Sequence, residues 1–92
     1  MGACFNTSIF PLCSAAELKI EYKNLIEELH YEYGHQPYNG TFTTCDGLLI
    51  TNEKFESVDD AEDWLMEYTD KWGVVKAVQA DGKWVLGGWC AE

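Results

Sequence analysis

The run of residues 35–41, His-Gln-Pro-Tyr-Asn-Gly-Thr, holds the most varied chemistry in the sequence. It sets an imidazole, a phenol, an amide and a hydroxyl on a glycine-bracketed turn, and such loops often carry function. One interpretation is a small-ligand site, with His35 as acid or base and with Thr41 or the Gly40 amide holding an anion. The other interpretation is a structural turn. The sequence favours it because it has no glycine-rich phosphate cradle and no arginine. The candidate ligand-binding residues are His35, Tyr38, Asn39 and Thr41.

Nucleophilic and metal-ligating residues are few and scattered. The cysteines, at positions 4, 13, 45 and 90, include no CxxC pair, so the usual zinc-ribbon and redox patterns are missing. His30 and His35 lie on either side of a predicted helix end and define no fixed ligand geometry. Cys45, with His35 and Asp46 nearby, lacks the local signature of a thiol hydrolase. We therefore expect no metal, no cofactor and no catalytic residue, and reduced thiols that pack as small apolar side chains.

The charge balance excludes several classes of partner. The chain has 92 residues, enough for one domain spanning 1–92, with six lysines, no arginine and 16 carboxylates, for a formal net charge of −10. Such a chain is a poor ligand for phosphate backbones or anionic lipid. No apolar run approaches the ~20 residues of a membrane span. The polar start, Met1-Gly2-Ala3-Cys4, does not resemble a secretory signal, so we expect a cytoplasmic protein that binds neither nucleic acid nor membrane.

Two predicted helices position most of the carboxylates. The first begins at the capping box Ser14-Ala15-Ala16-Glu17 and ends at Gly34. Its apolar positions recur at helical spacing: Leu18, Tyr22, Leu25, Ile26, Leu29 and Tyr33. The second begins at Ser57-Val58-Asp59-Asp60 and ends at Gly73. Its predicted buried stripe is Ala61, Leu65, Tyr68 and Trp72, flanked by Trp64.

The strands complete the predicted fold. Residues 3–10 are β-branched and aromatic and lead to Pro11, which indicates an edge or first strand. Asp-Gly pairs at 46–47 and 81–82 predict two hairpins, although the first would look similar as a bulged single strand. A two-residue turn at 81–82 would pair Ala80 with Lys83, and Gly87-Gly88 requires a helix or an aromatic ring close by. The order β-α-β(β)-α-β-β predicts an α+β domain with two helices on one face of a mainly antiparallel sheet.

The rows of carboxylates have two interpretations. They can be a solvated surface that keeps the protein soluble, or they can imitate a phosphate backbone and occupy the cationic groove of a nucleic-acid-binding protein. Like charges four residues apart, as at Glu17/Glu21 and Glu28/Glu32, each cost the helix a few tenths of a kcal/mol. The candidate partner-binding residues are Glu17, Glu21, Glu28 and Glu32 on the first helix and Asp59, Asp63, Glu67 and Asp70 on the second.

A family resemblance bears on these alternatives. At Gly34-His35, Tyr38-Asn39-Gly40-Thr41, Lys71-Trp72-Gly73 and Gly87-Gly88-Trp89, the chain resembles small uncharacterised proteins encoded by phages and prophages. The resemblance implies an accessory protein that disables a host enzyme or a host defence, and it transfers no catalytic residue. We therefore expect a non-enzymatic inhibitor that binds a basic host protein through an acidic helical face. The alternative is a protein that binds a nucleotide-like metabolite at the 34–41 loop, with Trp72 or Trp89 as a stacking surface and with oligomerisation as one way to build the pocket.

Overall fold

The computed structural model describes residues 3–33, 42, 45, 47–69 and 73–91. Its elements are β1 (Ala3–Pro11), α1 (Ala15–Tyr33), β2 (Leu48–Phe55), α2 (Val58–Tyr68), β3 (Val75–Ala80) and β4 (Lys83–Ala91). The strands form one sheet in the order β1-β4-β3-β2. The predicted α+β class is confirmed, as are the edge position of β1 and the bounds of the first helix.

The hairpin between β3 and β4 is confirmed in its register. Ala80 pairs with Lys83 and Val78 pairs with Val85, as a two-residue turn requires. The turn residues Asp81 and Gly82 have φ angles of 50° and 68°, and two consecutive positive φ angles suit the right-handed twist of the flanking strands. β4 also pairs antiparallel with β1, so two of the three strand pairings among the described residues are antiparallel.

The prediction of a strand before Asp46-Gly47, and hence of a hairpin there, is wrong. Phe42 lies in a short 3-10 turn and Cys45 in a bend, and the Cys45 amide donates to the Phe42 carbonyl at 3.0 Å. Thr41, Thr43, Thr44 and Asp46 lie outside the described residues. β2 instead pairs in parallel with β3, with Leu48 opposite Val75, so β2, α2 and β3 form a βαβ unit.

The placement of both helices on one face is also wrong, because the structure has α1 and α2 on opposite faces. Along β3, Val75 and Ala77 pack in the cluster that contains Leu18 of α1, whereas Val78 packs with Leu65 of α2. Crossovers between parallel strands are almost always right-handed. The connection through α1 runs across the sheet from β1 to β2, and the connection through α2 runs in the opposite direction, from β2 back to β3. Two right-handed connections that cross a sheet in opposite directions place their helices on opposite faces. Each face therefore has its own apolar core.

α2 ends earlier than its sequence pattern predicts. Its start is as expected, since the Ser57 hydroxyl accepts from the Asp60 amide at 3.2 Å. Its last residue is Tyr68, whose side chain is 53% exposed rather than part of the buried stripe. The Lys76 ammonium donates to the Tyr68 carbonyl at 2.6 Å and so satisfies one of the free carbonyls at the helix end. Trp72, the last predicted member of the stripe, lies outside the described residues.

Candidate protein-binding surface

The solvent-facing side of α1 carries two large exposed apolar side chains. Ile20 is 60% exposed and Tyr31 is 93% exposed, whereas Leu18 on the opposite side of the helix is fully buried. At 100° per residue, Ile20 and Tyr31 lie within about 20° of each other around the helix and about 16 Å apart along it. Both side chains point away from the sheet, with the exposed Asn24 and Glu27 between them, and we call this pair of apolar side chains the ridge.

A strip of carboxylates runs beside this ridge. At 100° per residue, its members fall within a sector of about 60°, and all four are exposed: Glu17, Glu21, Glu28 and Glu32. Lys19 and Lys23 lie on the other side of the ridge. In the described part of the chain no lysine forms an ion pair with these carboxylates, and the recorded bridge joins Lys83 to Asp81 at 3.7 Å. We call Ile20, Tyr31 and these four carboxylates the α1 surface.

The acidic residues of α2 belong to a different side of the molecule. Asp59, Asp63 and Glu67 are exposed on α2, and Asp70 lies outside the described residues. Because α1 and α2 cover opposite faces of the sheet, the two acidic rows cannot form the single acidic helical face that the sequence predicted. A partner that contacts the α1 surface does not reach the α2 row unless it wraps around the sheet.

The aromatic side chains near the end of α2 pack on one another. The Trp64 ring lies 5.7 Å from Phe55 and 5.1 Å from Tyr68, measured between ring centroids. The Lys76 ammonium lies 5.9 Å from the Trp64 ring, a favourable cation–π distance. Trp89 is half-buried, lies 5.3 Å from the Phe5 ring and donates from Nε1 to the Met66 carbonyl at 3.2 Å. These contacts hold α2 against the sheet.

The alternative ligand site falls on a part of the chain that the structure does not describe. His35, Tyr38, Asn39 and Thr41 all lie outside the described residues. Trp72, one of the two predicted stacking residues, lies outside them as well. The small-ligand site stays a prediction from the sequence.

Three of the four cysteines meet at one end of the sheet, on the α1 face. Cys4 lies directly opposite Cys90 in the β1–β4 ladder, and the Cys45 sulfur lies 3.8 Å from the Cys90 sulfur. The Asn6 amide donates to Cys90 Sγ at 3.4 Å and to Cys4 Sγ at 3.8 Å. All four cysteines of the chain are thiols in the structure. Cys4, Cys45 and Cys90 are referred to below as the thiol cluster.

Tyr22 of α1 packs beside the thiol cluster. Its side chain is 9% exposed. Burial raises the pKa of the Tyr22 phenol well above its usual value, and the negative charge that Cys45 and Cys90 carry when ionised raises it further. The phenol is thus held in its neutral form beside the sulfurs.

Sequence reasoning missed the ridge and the thiol cluster for different reasons. Ile20 and Tyr31 fall off the apolar stripe of α1, and this departure from the helical period was visible in the sequence. The approach of Cys4 to Cys90 follows only once β1 is known to pair with β4. The approach of Cys45 depends on a bend with no periodic signal.

Comparisons with known proteins found no matching family model, no similar curated protein and no similar solved structure. Neither helix in the described ranges has the length and apolar character that a membrane crossing requires. Within the same ranges, no group of three or more histidine, cysteine, aspartate and glutamate side chains is arranged to hold a metal ion. Function must therefore be inferred from the surfaces of this chain.

Proposed function

We propose that this protein is a non-enzymatic inhibitor whose α1 surface docks on a basic surface of a host protein. The observation that carries the proposal is the exposure of Ile20 and Tyr31, at 60% and 93%, beside a strip of carboxylates that form no ion pair with any lysine among the described residues. Most interface binding energy comes from a few apolar or aromatic anchors within a polar rim. A strip of like charge steers an oppositely charged partner and sets its orientation.

The charge of the chain limits the class of partner. A protein of net charge −10 repels phosphate backbones, so nucleic acid itself is not the ligand. A protein groove that binds nucleic acid is lined with lysine and arginine, and Glu17 to Glu32 extend over about 22 Å of helix, long enough to lie along such a groove. The resemblance to phage proteins supports the same class of partner, a host nucleic-acid-binding or defence protein.

Charge reversal on the two faces of the sheet provides a matched experiment. Glu28→Lys/Glu32→Lys changes the α1 surface, and Asp63→Lys/Glu67→Lys makes the same change in net charge on α2, across the sheet. Each variant would be immobilised on a resin and exposed to host lysate. The host protein that the resin retains would be identified by mass spectrometry and then purified for affinity measurements. We expect the α1 variant to lose the partner and the α2 variant to keep it. Equal losses of binding in the two variants would mean that binding depends only on net charge. Loss of binding in the α2 variant alone would assign the interface to the other face of the sheet.

Salt and competing DNA test the chemistry of the interface. Attraction between exposed charges is screened over ~8 Å at physiological ionic strength and over ~3 Å at 1 M salt, so the affinity of the purified partner should fall steeply as salt rises. If the partner surface is a nucleic-acid-binding groove, duplex DNA should displace the protein. An affinity that is insensitive to salt would contradict binding through the carboxylate strip.

A further inference from the structure

We propose that Cys45 and Cys90 form a reversible disulfide, which makes the thiol cluster a site of oxidative modification. Their sulfurs lie 3.8 Å apart, and a disulfide requires them to approach by about a further 1.8 Å, to the ~2.05 Å bond length. Cys45 lies in a bend outside the sheet, so a local movement of its side chain and backbone can supply this approach. Cys90 is held in β4. The inference is independent of the binding proposed for the α1 surface.

The two cysteines differ in access, and this sets the order of events. Cys45 is partly exposed, whereas Cys90 is fully buried. An oxidant in solution therefore meets Cys45 first, because oxidation follows exposure as well as thiolate character. Cys90 is sheltered from the oxidant but lies against Cys45, which is the position of a resolving thiol. The Asn6 amide donates to the Cys90 sulfur at 3.4 Å and stabilises negative charge there during the attack.

The reaction balances with a low-molecular-weight disulfide such as oxidised glutathione as the oxidant. The Cys45 thiolate attacks one glutathione sulfur, the glutathione disulfide bond breaks, and the first glutathione thiolate leaves. The Cys90 thiolate then attacks the Cys45 sulfur, breaks the mixed disulfide and releases the second glutathione. The two protein thiols lose two electrons and two protons in total, and the two glutathione sulfurs gain them.

The other two cysteines are poorer partners for Cys90. Cys4 and Cys90 are directly opposed in an antiparallel ladder, where Cβ atoms typically lie ~4.5–5.5 Å apart, farther than the mean of ~3.8 Å in a disulfide. Both backbones are fixed by the ladder, so this gap is hard to close. Cys13 lies away from the cluster: its carbonyl accepts from Trp84 Nε1 at 2.8 Å, and Trp84 is six residues along β4 from Cys90.

Treatment of the full chain with mixtures of oxidised and reduced glutathione tests the proposal. We expect loss of two hydrogen atoms in the intact mass, a Cys45–Cys90 cross-link in a non-reducing digest, and full reversal by dithiothreitol. A bond that closes such a long loop should raise the melting temperature by roughly 10–30 °C. The controls Cys4→Ser and Cys13→Ser should form the same bond.

The decisive variant is Cys45→Ser, because Cys45 is only partly buried and its replacement is tolerated more readily than a change at the fully buried Cys90. It should gain neither the cross-link nor the increase in melting temperature. The proposal is overturned if Cys45→Ser still loses two hydrogen atoms, if the wild-type cross-link joins Cys4 to Cys90, or if oxidation stops with one glutathione attached to Cys45.

Discussion

Gly87 of β4 and Leu65 of α2 lie so close that any side chain at Gly87 would crowd the helix. A Cβ atom built at Gly87 would lie 3.1 Å from the Leu65 Cβ and 2.8 Å from the tip of the Phe5 ring. The sequence predicts a helix or an aromatic ring close to the Gly87-Gly88 pair, and both are present. The missing side chain lets α2 approach the sheet and bury Leu65 completely.

Replacement of Gly87 by alanine should therefore destabilise the fold. We expect the free energy of unfolding, measured by urea titration, to fall by about 1–3 kcal/mol, since Phe5 or α2 must shift to admit the methyl group. Gly88→Ala is the matched control: its Cβ would lie 3.1 Å from Val75 Cγ2 and 3.4 Å from Val75 Cα, and a smaller loss is expected because none of its contacts is as short as the 2.8 Å contact at Gly87. Wild-type stability in Gly87→Ala would contradict the close approach of α2.

The serine caps should each contribute measurably to stability. The Ser14 and Ser57 hydroxyls each accept from a backbone amide three residues later, at 3.2 Å. Ser14→Ala and Ser57→Ala should each lower the free energy of unfolding by about 1 kcal/mol, whereas Ser57→Asp should retain the cap. The losses should add in the double variant, because the caps belong to separate cores. An alanine variant as stable as its aspartate counterpart would rule out the cap at Ser57.

Tyr22 should make stability fall at alkaline pH. Burial, and secondarily Cys45 and Cys90, raise the pKa of its phenol. The unfolded chain loses this proton near pH ~10 while the folded chain retains it, so the free energy of unfolding decreases as pH rises above about 10. Urea titrations at pH values of about 9 and 11 in reducing buffer should show a smaller decrease for Tyr22→Phe than for the wild type. The exposed Tyr31, replaced by phenylalanine, is the control and should match the wild type.

The two anchors of the α1 surface should separate binding from folding. Ile20→Ala and Tyr31→Ala remove exposed side chains, so the free energy of unfolding should change by no more than about 0.5 kcal/mol. Leu18→Ala, on the buried side of the same helix, should cost about 2–5 kcal/mol. Affinity for the purified partner should fall roughly 30-fold for Tyr31→Ala, the loss typical of an aromatic hot spot. Unchanged affinity in both exposed variants would remove the ridge from the interface.

The elements that could be predicted from the sequence depend on local signals. The capping box at Ser14 gives the start of α1, the apolar spacing gives its buried side, and Asp81-Gly82 sets the register of β3 and β4. The parallel pairing of β2 with β3 is different, because it joins distant segments and Asp46-Gly47 imitates a hairpin signal. Without that pairing, the rule that places α1 and α2 on opposite faces of the sheet cannot be applied to the sequence.

The candidate site likewise has features that could be predicted from local sequence signals and features that could not. The exposed strip of Glu17 to Glu32 follows from helical periodicity. The separation of this strip from the α2 row, and the meeting of Cys45 with Cys90, depend on which face of the sheet each crossover covers. No window of neighbouring residues contains that information.

Cover on both faces also makes the centre of the sheet the slowest part of the molecule to open. β3 and β4 have strand neighbours on both sides and a helix packed over each face. Local fluctuations at the edge strands or in either helix leave their amides bonded, so exchange with deuterium there requires unfolding of the whole domain. The amides of Ala77, Val78, Val85 and Leu86 should therefore exchange last. Their exchange rates would report the global free energy of unfolding.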